Sequence, residues 1–115
     1  MESKYIDRDA YYIEKALEEI ERILESSNGI IEYDLQNNRE KLDSIVFRLI
    51  QLSEHVDRVS DVFKLTHPEI NWRDIKSFRN RLVHDYGDVD IQFVYDAISK
   101  DIVELKEVFV KLIQK

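Results

Sequence analysis

Apolar residues recur three and four positions apart along most of the chain, a spacing that places side chains on one face of an α-helix. The first such segment runs from about Asp9 to Ser26, and the run Ser26-Ser27-Asn28-Gly29 predicts its end. Residues 30–40 show no clear period, so they are predicted to form a short helix or a loop.

The second long segment keeps one apolar stripe from about Glu40 to Leu65. It predicts a single helix, close to 40 Å long at about 1.5 Å per residue. Proline disfavours helical geometry in the residue before it, so Thr66-His67-Pro68 predicts the end of this helix.

Two further helices complete the pattern. Asn71 is a suitable N-cap for the third, which is predicted to end near Asp85-Tyr86, with Gly87 in the left-handed position that follows a helix. Asp88 or Asp90 is predicted to cap the fourth, from Ile91 to about Ile113, with either Val103 or Ile102 on its apolar stripe. These elements predict an all-α fold, an antiparallel four-helix bundle with an additional short helix or loop.

Composition agrees with a single domain over residues 1–115. The chain is 43% hydrophobic and has two glycines and one proline, which favours long helices over a β-rich fold. It has no cysteine, which excludes disulfides and thiolate metal sites. No P-loop, His-Glu-x-x-His or Glu-x-x-His pattern occurs, so we expect neither a metal nor a cofactor.

The net charge of −7 argues against a protein whose whole surface coats nucleic acid, but a local basic site remains compatible with it. The amino-terminal residues are charged, and no stretch approaches the roughly 18 apolar residues of a membrane span. We therefore expect a cytoplasmic protein that does not associate with membranes.

The third helix concentrates the candidate chemistry. Its predicted core stripe consists of Trp72, Ile75, Phe78 and Leu82. On an ideal helix the polar residues Arg73, Lys76, Asn80 and His84 gather on the opposite side, with Arg79 at the flank and Tyr86 nearly in line with it. Val83 is an apolar residue on this polar side, which indicates that a partner chain covers it.

The run Arg79-Asn80-Arg81-Leu82-Val83-His84-Asp85-Tyr86 has the form R-N-x-x-x-H-x-Y. It resembles the signature of the HEPN superfamily, and the tyrosine resembles that of the HepT branch. The preceding stretch from Pro68 to Ile75 is similar to the P-E-I-P-W-R-x-I segment of that family, with Asn71 in place of the second proline. The resemblance covers nearly the whole chain.

This resemblance implies a metal-independent endoribonuclease toxin of a toxin–antitoxin pair, with its site in a cleft between two protomers. It implies further that the partner, a minimal nucleotidyltransferase (MNT) antitoxin, attaches AMP to Tyr86 and silences the toxin. The chemistry of the residues agrees: His84 suits proton transfer near neutral pH, and Arg79 suits phosphate binding. Asn80 is a supporting residue that could orient His84 or donate to phosphate.

A single chain offers one well-placed histidine, since His55 and His67 are not tied to a basic cluster. A two-fold homodimer would supply two copies of His84 and of Arg79. Candidate RNA contacts are Arg73, Lys76 and Arg81, although charges on a helix are usually a solvated face. Glu54 lies off the centre of its apolar stripe and is a further candidate for the cleft.

Two other hypotheses remain open from the sequence. The chain could be a non-catalytic helical module that binds a nucleotidyltransferase partner through the motif face. It could also be a structural four-helix protein without a site, in which Arg79 forms a surface salt bridge and Tyr86 fills the end of the bundle.

Overall fold

The computed structural model describes the backbone of residues 4–82 and 88–113, and the side chains from Arg8 onwards within those ranges. The described part is helical and contains no β-strand, as the apolar periodicity predicted. None of its helices is both long enough and apolar enough to cross a membrane.

The first three helices are α1 (Lys4–Ser26), α2 (Glu32–Asn37) and α3 (Arg39–Asp57). Helix α1 includes residues that precede the predicted start at Asp9, but its predicted end is confirmed. Gly29 follows with a φ of 79°, a conformation that costs glycine little because it has no Cβ. The segment without a period contains the short helix α2. Asn38 caps α3 by accepting a hydrogen bond from the Lys41 amide.

The prediction of one unbroken helix from Glu40 to Leu65 is wrong. Helix α3 ends at Asp57, and a separate helix α4 (Asp61–Thr66) begins after Ser60. Ser60 caps α4 by accepting from the Phe63 amide. Its own amide and hydroxyl donate to the buried carboxylate of Asp9, both at 2.8 Å. These bonds to α1 stabilise the break, so a tertiary contact overrides the continuous apolar stripe.

The third predicted helix consists of α5 (Trp72–Lys76) and α6, described over Phe78–Leu82. Asn71 caps α5 by accepting from the Asp74 amide, as predicted. Ser77 separates the two helices, and its hydroxyl donates to the Asp74 carbonyl at 2.8 Å. The predicted core stripe is confirmed for Ile75, Phe78 and Leu82, which are buried, whereas Trp72 is half-buried.

The fourth predicted helix consists of α7 (Ile91–Asp96), a π-helical segment (Ala97–Asp101) and α8 (Ile102–Ile113). Asp90 caps α7 by accepting from the Phe93 amide. In an unbroken α-helix Asp101, seven residues after Val94, would face the core. The wider π turn puts Ile102 there instead, fully buried, while Val103 is exposed. Partial burial, together with the nearby carboxylates of Asp74 and Glu104, raises the pKa of Asp101.

One hydrophobic core connects these helices. Helix α1 packs against α3 and α8, while α3 also contacts α2, α5 and α6. Helix α7 contacts α2 and α6. The largest fully buried side chains come from α1, α2, α3, α6, α7 and α8: Phe109, Ile13, Ile20, Ile23, Leu35, Ile45, Leu49, Leu52, Leu82, Ile102, Val56 and Val94. The contacts of α3 with α5 and α6 bring the motif-bearing segment against the middle of the molecule.

Candidate functional site

A groove of about 280 Å³ lies where α5 and α6 meet the carboxyl-terminal half of α3. Lys76, Arg79 and Asn80 line one wall. The other wall belongs to α3 and the residue after it, through Ser53, Glu54, Asp57 and Arg58. The groove therefore brings together four of the residues that the sequence singled out, Glu54, Lys76, Arg79 and Asn80.

Two ion pairs cross the groove. A terminal nitrogen of Arg79 lies 3.8 Å from a carboxylate oxygen of Glu54, and Lys76 Nζ lies 3.6 Å from Asp57 Oδ1. The Arg79 side chain is 69% exposed and that of Glu54 is 43% exposed. Pairs this long and this accessible to water contribute little to stability. Arg79 and Lys76 are thus oriented by their partners, while the stability of the fold depends little on these two pairs.

The groove carries one more cation than carboxylate among its described lining residues, in a chain whose net charge is −7. The hydroxyl of Ser53, a buried residue, is already engaged, donating to the Ile50 carbonyl at 2.8 Å. Its guanidinium, ammonium and amide donors suit a backbone phosphate.

The other two candidate RNA contacts lie away from the lining of the groove. Arg81 pairs with Asp74 at 3.0 Å, and its guanidinium carbon lies 4.4 Å from the centre of the Phe93 ring. Arg73 is exposed on α5. Of the three candidate contacts, the structure therefore gathers only Lys76 with Arg79 and Asn80 in the groove's described lining.

Four residues of the motif run, Val83, His84, Asp85 and Tyr86, lie outside the described residues. The end of the third predicted helix at Asp85-Tyr86 and the cap at Gly87 lie there as well. The catalytic role of His84, the modification of Tyr86 and the covered position of Val83 stay predictions. The structure describes residues 79–82 of the motif, of which Leu82 is fully buried.

The other two histidines have partners elsewhere. His67 stacks on Phe63 with ring centres 4.2 Å apart, and its Nδ1 lies 2.9 Å from the Phe63 carbonyl oxygen. His55 faces α1, where its Nε2 is 3.9 Å from a carboxylate oxygen of Glu19. Burial lowers the pKa of His55, although Glu19 acts in the opposite direction. Neither histidine lies among the described lining of the groove.

The model of the family described as ribonuclease HepT-like matches residues 13–112, which include both walls of the groove and the whole motif. The chain belongs to the HepT-like family. This establishes the resemblance on which the sequence interpretation rests.

Individual relatives agree with the family. A protein of Thermococcus cleftensis named "Probable ribonuclease HepT" is 32% identical, over 88% of this chain and 92% of its own length. A protein of Caldanaerobacter subterraneus named "Putative RNase" is 28% identical, over 90% of this chain and 93% of its own. A Methanocaldococcus jannaschii protein whose name joins a gamma-glutamylcyclotransferase to a putative RNase is 26% identical, over 47% of its length. No solved structure matches the chain significantly.

The α3 wall of the groove in this HepT-like chain was largely missed from the sequence. Glu54 was a candidate for the cleft, but Asp57 and Arg58 were not singled out. A signal was present, because residues 54, 57 and 58 are three and four apart and share a polar face beside the apolar stripe. Periodicity does not show which faces of two helices meet.

The described residues of the HepT-like chain contain no group of three or more His, Asp or Glu side chains that could hold a metal ion. The groove walls offer nitrogen donors and two paired carboxylates. Hydrogen-bond donation and positive charge are therefore the chemistry that these walls supply.

Proposed function

We propose that this chain is a metal-independent endoribonuclease, the toxin of a toxin–antitoxin pair, acting in the cytoplasm. The observation that carries the proposal is the family match across a motif whose Arg79 and Asn80 lie in one groove with Lys76. The names of the relatives, which include "Probable ribonuclease HepT", support the same substrate and reaction type.

Cleavage proceeds by attack of the RNA 2′-oxygen on the adjacent phosphorus, which breaks the bond to the 5′-oxygen. A base takes the proton of the 2′-hydroxyl, and an acid gives a proton to the departing 5′-oxygen. Histidine is suited to both transfers because its usual pKa lies near neutral pH, which supports His84 in these roles. Arg79 stabilises the charge that accumulates on the phosphate oxygens, and Asn80 orients His84 or donates to phosphate.

Two chains form the complete site in this proposal. One copy supplies one His84 and one Arg79, whereas base and acid are needed on opposite sides of the phosphate. A two-fold homodimer places both pairs in one cleft, with Val83 covered by the partner. In this proposal α1, α3, the α5–α6 segment and the α7–α8 segment of each protomer act as the four members of an antiparallel bundle, which presents the motif segment to the other copy.

Regulation acts through Tyr86. The antitoxin, a minimal nucleotidyltransferase, transfers the adenylyl group of ATP to the Tyr86 hydroxyl, two residues from His84. The phenol oxygen bonds to the α-phosphorus and loses its proton, and pyrophosphate leaves. The adenylate adds bulk and negative charge at the place that the RNA phosphate must occupy, so it blocks by occupancy and by repulsion. Mass spectrometry of the chain co-expressed with such an enzyme should detect AMP adducts in the wild type and none at this position in Tyr86→Phe.

The decisive test is RNA cleavage by purified protein in the presence of a chelator. We expect the wild type to cut single-stranded RNA and His84→Ala to lose the activity while keeping its melting temperature. Equal activity of the wild type and His84→Ala would refute the catalytic proposal. Complete inhibition by the chelator, reversed by a metal ion, would refute the metal-independent mechanism.

Expression without a partner separates a toxin from a non-catalytic module that only binds a nucleotidyltransferase. A toxin arrests growth, and Arg79→Ala relieves the arrest. A binding module leaves growth unchanged in both forms.

A further inference from the structure

The two ion pairs of the groove form a ladder between helices that run past each other. Glu54 faces Arg79, and Asp57, three residues later, faces Lys76, three residues earlier. Each carboxylate lies within 4 Å of the cation that it faces, and all four residues line the same groove. The positions that phosphate oxygens would take next to Arg79 and Lys76 are therefore the ones that these carboxylates compete for.

The ladder is easy to open. Both separations exceed the 2.7–2.9 Å of a strong charge-assisted hydrogen bond, and all four side chains are well exposed to water. By contrast, Arg81, two residues after Arg79, is held at 3.0 Å by Asp74 and lies over an aromatic ring. A phosphate that enters the groove replaces two weak partners and leaves the Arg81 contact intact.

We propose that Glu54 and Asp57 are positioning residues that hold Arg79 and Lys76 toward the groove until RNA phosphates displace them. The proposal rests on the proposed function for the identity of the ligand, since it names RNA phosphate as the displacing group. The carboxylates keep two long, flexible cations oriented in the free protein. They also lower the affinity for any phosphate, because each phosphate must outcompete a carboxylate.

The salt dependence of binding carries the signature of this exchange. A cation that neutralises a phosphate releases a counterion from the RNA, and for single strands the slope of log K against log salt is roughly −0.7 per contact. In this protein each displaced carboxylate attracts a cation from solution, which cancels part of that release. Removing a carboxylate should therefore make the slope steeper, whereas a merely structural role for it would leave the slope unchanged.

The experiment measures binding of a labelled 2′-O-methyl RNA oligonucleotide, which keeps the phosphates but lacks the attacking hydroxyl. The variants are Glu54→Gln, Asp57→Asn and the double variant, titrated at several salt concentrations. The matched control is Asp43→Asn, which removes the same charge from an exposed pair with Arg39 elsewhere on α3. Inorganic pyrophosphate serves as a second probe of the groove.

We expect each groove variant to bind RNA about fivefold more tightly at low salt, the effect of one unit charge at about 4 Å in water. The slope should steepen by a part of the roughly 0.7 per contact for each carboxylate removed. Asp43→Asn should show neither effect beyond a small general gain. Groove variants that bind with the affinity and slope of Asp43→Asn would overturn the proposal.

A double-mutant cycle tests whether Glu54 acts through Arg79. In an Arg79→Gln background, Glu54→Gln should lose most of its fivefold effect, because the cation that it releases is gone. A full effect in that background would mean that Glu54 acts as a general charge, against the proposal.

Pyrophosphate distinguishes this proposal from the proposed function. Cleavage of RNA by the wild type, with Glu54→Gln binding both probes no better than Asp43→Asn, would retain the ribonuclease and reject the positioning role. Absence of RNA cleavage, with tighter pyrophosphate binding by Glu54→Gln, would reject the ribonuclease and retain the positioning role. Failure of every protein to bind pyrophosphate and RNA would reject the positioning role as well.

Discussion

Helix α3 contributes charged side chains to two regions that differ in burial. In the groove, Glu54 and Asp57 pair with Arg79 and Lys76 in contact with water. Toward α1, Arg48 donates to Glu19 at 3.2 Å, beside His55, and the Glu19 side chain is only 9% exposed. We refer to the buried Glu19 and its half-buried partners Arg48 and His55 as the buried cluster.

The comparison separates charges that fasten the fold from charges that remain available to a ligand. Removing one member of a buried pair leaves the other uncompensated in a poorly solvated place, which is costly. Removing one member of an exposed pair leaves the other hydrated, at little cost. We therefore expect groove substitutions to change activity and buried-cluster substitutions to change stability.

The largest expected effect is that of Arg79→Ala on RNA cleavage. Loss of a donor to the developing phosphate charge costs about 10²–10³ in rate. The free energy of unfolding should change by less than about 0.5 kcal/mol, since the pair with Glu54 is exposed. Arg39→Ala, which removes an equally exposed arginine paired with Asp43, is the control and should keep full activity. Single-turnover cleavage and urea unfolding measure the two quantities.

Next in size is the effect of Glu19→Ala on stability, about 2 kcal/mol, because the half-buried Arg48 loses its hydrogen bond to a buried carboxylate. The neighbouring Glu18→Ala removes an exposed carboxylate and should cost less than about 0.5 kcal/mol. Similar unfolding free energies for the two variants would contradict the claim that the buried cluster stabilises the fold more than exposed charges do.

Ser60→Ala should destabilise the protein by about 1–2 kcal/mol. It removes the cap of α4 and one of two hydrogen bonds to the buried Asp9 carboxylate. Ser99→Ala removes an exposed hydroxyl that donates to its own helix and is the matched control. Denaturant midpoints compare the two variants, and equal midpoints would show that the Ser60 hydroxyl contributes nothing to the break between α3 and α4.

A smaller effect follows from pH. Burial lowers the pKa of His55, and Arg58 and Lys15 act in the same direction, against Glu19 and Glu18. The unfolded chain then binds the proton more readily than the folded one. Stability is therefore complete above the unfolded value of 6.5 and decreases as the pH falls through it. Unfolding between pH 8 and 5.5 should show a flatter profile for His55→Gln; an unchanged profile would contradict this assignment.

The smallest effect is expected for Lys76→Ala. Its pair with Asp57 is long and exposed, so the free energy of unfolding should stay within about 0.5 kcal/mol of the wild type. A loss above 1 kcal/mol would mean that the groove pairs fasten the fold, and the comparison would fail.

The sequence predicted the parts of the fold that depend on local rules. The caps at Asn71 and Asp90, the turn at Gly29 and the buried positions of Ile75, Phe78 and Leu82 follow from residue type and helical spacing. The break at Ser60 does not, because its stabilising partner Asp9 lies 51 residues away. The same limit applies to the groove, where Arg79 was predicted but Asp57 and Arg58 depend on how α3 meets α5 and α6.

The π-helical segment at Ala97–Asp101 has a consequence for insertions and deletions. A π turn holds one residue more than an α turn, and here the surplus residue keeps Asp101 out of the core while Ile102 enters it. Deleting Asp101 would place Ile102 seven positions after Val94, in phase for a regular α-helix. The carboxyl-terminal helix would therefore tolerate the deletion of Asp101. Deletion of Ile102 would instead bring Val103, a smaller side chain, to the buried position that the isoleucine fills.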